Sequence, residues 1–247
     1  MKFGLIGHPI GHSLSPALFK AGYDGAYPYD LIETADFEEA YSIFLREYDG
    51  INVTAPFKEM ALRKADIISE ECQMIGATNM LIKTPDGVKA YNSDYLGVRL
   101  WLRKISAERV LKPRVLIVGM GGAGKAAAAA SKSFGYDTVL MNRTQYDSEI
   151  LPLSDFCHEF RKADIIIYNL PVRIPQIDQL SEEDVSAENR KTILEANYRH
   201  PEFKIQHPNI TYADGREWLL LQAVTGYELF TGTTPDCEAM KAVIKSK

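Results

Sequence analysis

The chain has 247 residues, enough for one large or two modest domains with real cores. Its 46% hydrophobic and 25% charged residues are ordinary for a soluble globular protein. A net charge of −5 argues against nucleic-acid or anionic-membrane partners, and no apolar run reaches membrane-spanning length.

Met1-Lys2-Phe3-Gly4 leads into a strand and does not read as a signal peptide. Cys72, Cys157 and Cys237 are widely spaced and odd in number, which suits a reducing cytoplasm and implies no disulfide framework. The five histidines form no H-x-x-x-H pair, so no structural metal is expected.

A first strand, Lys2 to Ile6, is stopped by Gly7 and Pro9, and a constrained polar loop follows. Ser15-Pro16 reads as a helix N-cap with proline at the first helical position, opening a helix to about Ala21. Then come a strand at Tyr27–Leu31, a helix at Asp36–Tyr48, a strand at Gly50–Thr54 broken by Ala55-Pro56, and a helix at Lys58–Ala65. Ile67 to Met74 reads as a continuation of that helix or a second one. Strands at Ala77–Lys83 and Val88–Asn92 flank a turn at Pro85-Asp86-Gly87. The alternation of strands and helices predicts an α/β fold with a mostly parallel sheet covered on both faces.

Apolar residues recur at helical spacing from Tyr95 to Lys104, and the pattern decays through residues 106–113, where we place the domain junction. A second domain opens with strand Val115–Val118 and continues with strands at Thr138–Met141, Asp164–Tyr168 and Thr192–Ala196. Val172 to Arg190 reads as loop plus short helix. Helices at Glu217–Phe230 and Asp236–Ile244 are expected to pack back on the first domain, because the second is already a complete α/β unit. The division is residues 1–100 with 216–247, and 101–215.

Gly119, Gly121 and Gly124 follow a buried strand and precede an alanine-rich helix at the G-x-G-x-x-G spacing. One glycine permits the sharp turn, one admits a pyrophosphate to the backbone, and one lets helix and strand pack closely. The helix N-terminus, from Gly122-Ala123, offers free N–H groups to phosphate. This predicts a dinucleotide site.

Ser13, Ser15, Asn52, Thr54, Lys58, Asn79 and Asn92-Ser93-Asp94 fall just past first-domain strand ends, where open α/β sheets bind ligands. These side chains suit a small polyhydroxylated acid, yet Ser15, Asn92 and Asp94 serve equally as helix caps and turn formers. Lys58 read from spacing alone is a surface charge. Interconverting a ketone and an alcohol with a nicotinamide needs a proton donor or acceptor at the oxygen, and a lysine oriented by Asp94 meets that need.

These residues coincide with a known pattern. Gly7-His-Pro-Ile-Gly-His-Ser-Leu-Ser-Pro16, Gly50-Ile-Asn-Val-Thr-Ala-Pro-Phe-Lys58, Gly76-Ala-Thr-Asn79, Asn92-Ser-Asp94, the glycine turn, Asn142-Arg-Thr144, and Gly215 with Leu219-Leu-Leu-Gln-Ala223 together resemble the shikimate dehydrogenases along essentially the whole chain. The resemblance implies an N-terminal substrate domain, a Rossmann domain, and NADP-dependent reduction of 3-dehydroshikimate to shikimate in aromatic amino-acid biosynthesis. It implies Lys58 and Asp94 as the catalytic pair and Ser13 and Ser15 on the substrate carboxylate. Thr54, Asn79 and Gln222 would meet its hydroxyls, Tyr198 would lie near the carboxylate, and Gly215 against the nicotinamide. The alternative reading of Tyr198 and Gln222 is as packing residues with wetted tips.

Past the glycine turn, Met141-Asn142-Arg143-Thr144 lacks the carboxylate that would hold an NAD ribose and supplies a guanidinium, favouring NADP. Where the family usually adds a second basic residue, this chain has Tyr146-Asp147-Ser148, so NAD is expected as a weaker alternative. Other departures are Ser93 for threonine, Met80, Met120, and Glu195 for the aspartate of an Asp-x-x-Tyr-x-Pro pattern, followed by Arg199-His200. A quinate-type dehydrogenase and a catalytically silent nucleotide-binding paralogue stay open as alternatives. A monomer or a homodimer is expected.

Overall fold

The computed structural model describes residues 1–107, 111–186, 189–203, 205 and 207–246. Its contacts divide the chain into two units, Met1–Gly97 with Leu220–Lys247, and Val98–Leu219. The first unit carries, in order, β1 (Phe3–Gly7), α1 (Ser15–Gly22), β2 (Tyr29–Glu33), α2 (Phe37–Glu47), β3 (Gly50–Val53), α3 (Lys58–Arg63), β4 (Ile67–Ile68), α4 (Glu70–Ile75), β5 (Met80–Thr84) and β6 (Gly87–Tyr91). Helix α5 (Ser93–Ser106) enters the second unit, which holds β7 (Arg114–Val118), α6 (Gly122–Ser133), β8 (Asp137–Asn142), β9 (Ile150–Pro152), α7 (Phe156–Lys162), β10 (Ile165–Tyr168), β11 (Lys191–Glu195) and β12 (Ile210–Ala213). Helix α8 (Gly215–Thr231) returns to the first unit, and α9 (Cys237–Lys245) ends the chain.

The chain therefore passes between units inside α5 and α8. The segment at 106–113 where the sequence places the junction lies within the second unit, and residues 108–110 of it are outside the described residues.

The first sheet has the order β2-β1-β3-β5-β6-β4. β1 runs parallel to β2 and β3, and β4 parallel to β6. β5 is antiparallel to β3 and β6, because Thr84 and Gly87 pair across a two-residue hairpin with Gly87 at φ +124. The stretch at Ile67–Met74, read as helix, is split: Ile67–Ile68 pairs with β6 before α4 begins at Glu70.

Helix α2 starts where the Asp36 carboxylate accepts from the Glu38 and Glu39 N–H groups, and it buries Phe37, Ala40 and Phe44 at helical spacing. That face joins Ile6, Ile51, Val53 and Phe57 in one core. A second, aromatic cluster of Phe3, Phe19, Tyr29, Tyr227 and Phe230 packs between β1, β2, α1 and α8. The C-terminal helices dock on the first unit as expected: the Asp236 N–H donates to Gly22 O at 2.8 Å, and a Cβ on Gly22 would meet Pro235 and Met240.

The second sheet is wholly parallel, in the order β12-β11-β10-β7-β8-β9. Numbered within the unit this is 3-2-1-4-5-6 reversed, the doubly wound dinucleotide-binding order, with the switch point between β7 and β10. Sequence reading missed three of its elements, β9, α7 and β12. Between β10 and β11 the expected loop plus short helix takes the form of two 3-10 helices among the described residues, Pro175–Gln179 and Glu182–Asp184, and residues 187–188 lie outside the described residues.

One buried cation ties this unit together. Lys191 is 1% exposed, and its Nζ donates to Arg161 O at 2.9 Å and Ala163 O at 2.6 Å at the end of α7 and to Asn189 Oδ1 at 2.6 Å, matching three donors to three acceptors. Burial pushes its pKa down from 10.5 to about 8, with Asp164 and Asp184 pulling the other way. The Lys191→Met variant keeps the volume and orphans the acceptors, so its Tm should fall, by roughly 1–3 kcal/mol in stability. Between about pH 8 and pH 10 the folded wild type has released a proton that the unfolded chain still binds, so its stability advantage over Lys191→Met should grow with pH. A Tm gap that narrows over that range would contradict this.

Candidate functional site

Two groups of polar residues stand at strand ends, one in each unit. In the first unit β3 ends at Val53, and the turn through Ala55-Pro56 delivers Lys58 as the first residue of α3. Asp94 lies in the first turn of α5, and Lys58 Nζ donates to Asp94 Oδ2 at 2.6 Å. The two side chains are 25% and 19% exposed, shielded enough to hold one geometry and open enough to reach a ligand.

Beside this pair lies a connected set of side chains. The Asn79 Nδ2 donates to Ser93 Oγ at 3.0 Å, and the Ser93 N–H donates to Asn79 Oδ1 at 2.7 Å. Ser93 Oγ in turn donates to Gln222 Oε1 at 3.1 Å. α5 and α8 come this close because a Cβ on Gly97 would sit 2.7 Å from the Gln222 nitrogen and one on Gly226 3.0 Å from Ser93 Cβ. At the ends of β1 and β3, Thr54 Cγ2 fills the space where a Gly7 side chain would be, 2.4 Å from its Cβ position. Ser13 Oγ donates to Ser15 Oγ at 3.1 Å.

The three residues that sequence left between cap and ligand now separate. Asn92 is a cap: its Oδ1 accepts from the Tyr95 N–H at 3.1 Å. Ser15 is not. The N-cap of α1 is Leu14, no side chain caps the helix, and Ser15 and Pro16 occupy its first turn, so the expected Ser15 cap is corrected by one residue. Asp94 is committed to Lys58.

In the second unit the glycine turn joins β7 to α6. Gly119 has φ +91, a conformation other residues rarely adopt, and its N–H donates to Met141 O at 2.8 Å. A Cβ on Gly124 would lie 1.8 Å from Gly119 O, so the helix packs on the turn with no room for a side chain. Nothing lies within 4 Å of a Cβ placed on Gly121, the N-cap, leaving that face and the first N–H groups of α6, at Gly122 and Ala123, open to an anion. Asn142 at the end of β8 accepts the Met120 N–H at 3.3 Å and donates to Thr144 O at 3.0 Å. Arg143 is exposed and makes no ion pair among the described residues. Tyr146 donates to Met120 O at 3.3 Å, so the loop after β8 is clipped to the glycine turn from both sides.

At the switch point, Asn169 follows β10 and donates through Nδ2 to Val118 O and Ile167 O, while its buried Oδ1 has no partner. The open Gly121 face and this orphaned acceptor beside the turn fit a dinucleotide. Among the described residues no three His, Cys, Asp or Glu side chains gather as a metal site.

A family model described as shikimate dehydrogenase substrate binding domain matches residues 5–81. The shikimate dehydrogenase (NADP(+)) of Bacillus subtilis is 26% identical over 99% of this chain and 96% of its own length. The solved shikimate 5-dehydrogenase of Thermus thermophilus, in complex with NADP(H) and shikimate, is 26% identical over 100% of this chain and 99% of its own, with a TM-score of 0.81. This chain belongs to the shikimate dehydrogenase family. A quinate dehydrogenase from Corynebacterium glutamicum in complex with NAD, 20% identical with a TM-score of 0.81 over 100% of this chain and 99% of its own, shares the fold.

Within this shikimate dehydrogenase framework, Ser13, Ser15, Thr54, Lys58, Asn79, Asp94 and Gln222 all belong to the first unit. Gly119 to Gly124, Asn142 to Thr144 and Gly215 belong to the second, and so does Tyr198, on the loop after β11. That loop lies on Gly215, where a Cβ would meet Ala196 O at 2.5 Å and Tyr198 N at 2.6 Å. The Glu195 carboxylate, fully buried, accepts the N–H groups of Glu202 and Phe203 and the Tyr212 hydroxyl, holding the loop at its far end. Burial, then the hydrogen bond to Glu195, raise the Tyr212 pKa, so the phenol stays the donor. Glu195, read as a departure from the family pattern, thus has a defined structural task. Sequence reading missed Tyr29 and Asn169, and only a polar residue at a strand end signalled Asn169.

Proposed function

We propose that this chain catalyses the reversible NADP-linked reduction of 3-dehydroshikimate to shikimate, a step of aromatic amino-acid biosynthesis. The first unit is the substrate unit and the second the cofactor unit. The observation that carries the reading is the 2.6 Å Lys58–Asp94 pair set beside Asn79, Ser93 and Gln222 at the strand ends of the first unit.

Bound NADPH would supply the hydride to the carbonyl carbon. As that carbon is reduced its oxygen gains negative charge, and the Lys58 ammonium donates a proton to it; in the oxidation the neutral amine takes the hydroxyl proton back. Asp94 fixes the amine and balances its charge. Ser13 and Ser15 donate to the ring carboxylate, and Asn52, Thr54, Asn79 and Gln222 read the ring hydroxyls. Tyr198 would add a contact near the carboxylate, and Gly215 would hold the nicotinamide end of the cofactor. The backbone of Gly119, Gly121, Gly122, Ala123 and Gly124 would carry the pyrophosphate, with Asn142, Arg143 and Thr144 toward the adenosine end.

Arg143 is the cation that would read the 2′-phosphate, and Tyr146-Asp147-Ser148 stands where the family usually adds a second basic residue. NADP is therefore preferred over NAD by a smaller margin than two cations give. Arg143→Ala should raise the Kd for NADPH about tenfold or more and leave NADH nearly untouched, as read by nucleotide fluorescence. Equal losses for both would show that Arg143 does not read the phosphate. The activity itself is tested by mixing purified protein with NADPH and 3-dehydroshikimate: loss of NADPH absorbance matched by shikimate formation supports the reading, and NADPH bound without turnover sinks it.

A further inference from the structure

In the register of the first sheet, β1 lies between β2 and β3, so Tyr29 and Asn52 come from strands that flank it on opposite sides. The Tyr29 hydroxyl reaches across and donates to Asn52 Oδ1 at 2.7 Å. An amide oxygen accepts only, so this contact decides which end of the amide points where. It leaves Asn52 Nδ2 with two N–H groups and one long contact, to Asn79 O at 3.4 Å. Ser15 neighbours the Tyr29 and Tyr227 hydroxyls, and Tyr227 donates to Ser15 O at 3.2 Å. The Tyr29 ring is itself held by Phe19, at 4.8 Å between centroids, and by Tyr227, at 6.1 Å.

We propose that Tyr29 is a positioning residue of the ring-acid site, its hydroxyl locking the Asn52 amide so that the N–H edge faces a substrate hydroxyl. The inference rests on the shikimate reading above and adds to it a residue outside the sequence motifs. Tyr29 acts on the ligand through Asn52. Without the phenol only the long contact to Asn79 O holds the amide, and an oxygen presented to the same hydroxyl demands the opposite hydrogen-bond direction.

Tyr29→Phe removes one oxygen and keeps the ring packing. Steady-state kinetics at saturating NADP should show the KM for shikimate raised about tenfold with kcat within about twofold, and NADPH Kd and Tm close to wild type. In an Asn52→Ala background the same substitution should have little further effect, because its effect passes through Asn52. A KM unchanged by Tyr29→Phe, or an effect that persists undiminished when Asn52 is absent, would overturn the proposal. So would a fall in kcat and Tm with KM constant, which marks a structural role alone. A wild type that turns over no shikimate overturns this inference together with the function beneath it, whereas an active wild type with a silent Tyr29→Phe overturns this inference only.

Discussion

Lys58→Ala lowers kcat by about two to four orders of magnitude, the range that a positioned proton-transfer group contributes, with little change in the KM for shikimate. The amine is the group of the 2.6 Å pair that can carry a proton to or from the substrate oxygen. Removing it leaves the ligand contacts proposed for Asn79 and Gln222 in place. Asp94 keeps partial access to solvent, so its carboxylate stays hydrated in the variant and the fold survives. Stopped kinetics with an unchanged Tm and unchanged NADPH affinity is the expected signature. A rate within tenfold of wild type would remove Lys58 from the chemistry.

The second large effect is backbone packing. In Gly124→Ala the new Cβ would stand 1.8 Å from Gly119 O, a contact no rotamer relieves because the backbone fixes where a Cβ lies and the oxygen it meets is main chain. The helix must move off the turn, and Gly119, held at φ +91 with its N–H on Met141 O, cannot follow without losing that bond. The expected result is NADPH affinity lowered at least about a hundredfold and a stability loss of roughly 4 kcal/mol or more, seen by fluorescence titration and thermal unfolding. Gly121→Ala, at a position with open space, should fold normally, so the pair separates packing from ligand contact. Wild-type affinity in Gly124→Ala would contradict the helix-on-turn account.

The glycine turn was legible in the sequence because its constraint is local: Val115 to Val118, the spaced glycines and the alanine run lie within about twenty residues. The Ile67–Ile68 strand and β9 were not, since two or three residues carry no periodicity and Pro152 argues against a strand. β12, Ile-Thr-Tyr-Ala, follows a polar stretch and shows its strand character only when paired with β11. Ser15 was misplaced as a cap because helix ends are uncertain by a residue, and that residue decides whether its hydroxyl serves the helix or the site. The Tyr29–Asn52 bond is a matter of strand order, which no local pattern carries. Lys58 and Asp94 were readable as candidates from their strand-end positions, and their 2.6 Å contact comes from the placement of α3 against α5.

The most direct test measures initial rates of oxidation for shikimate and for quinate, each with NADP and with NAD, on the purified full-length chain. The account predicts fast turnover with shikimate and NADP, slower turnover with shikimate and NAD, and little with quinate. Quinate turnover matching shikimate, or parity of the two nucleotides, would contradict it.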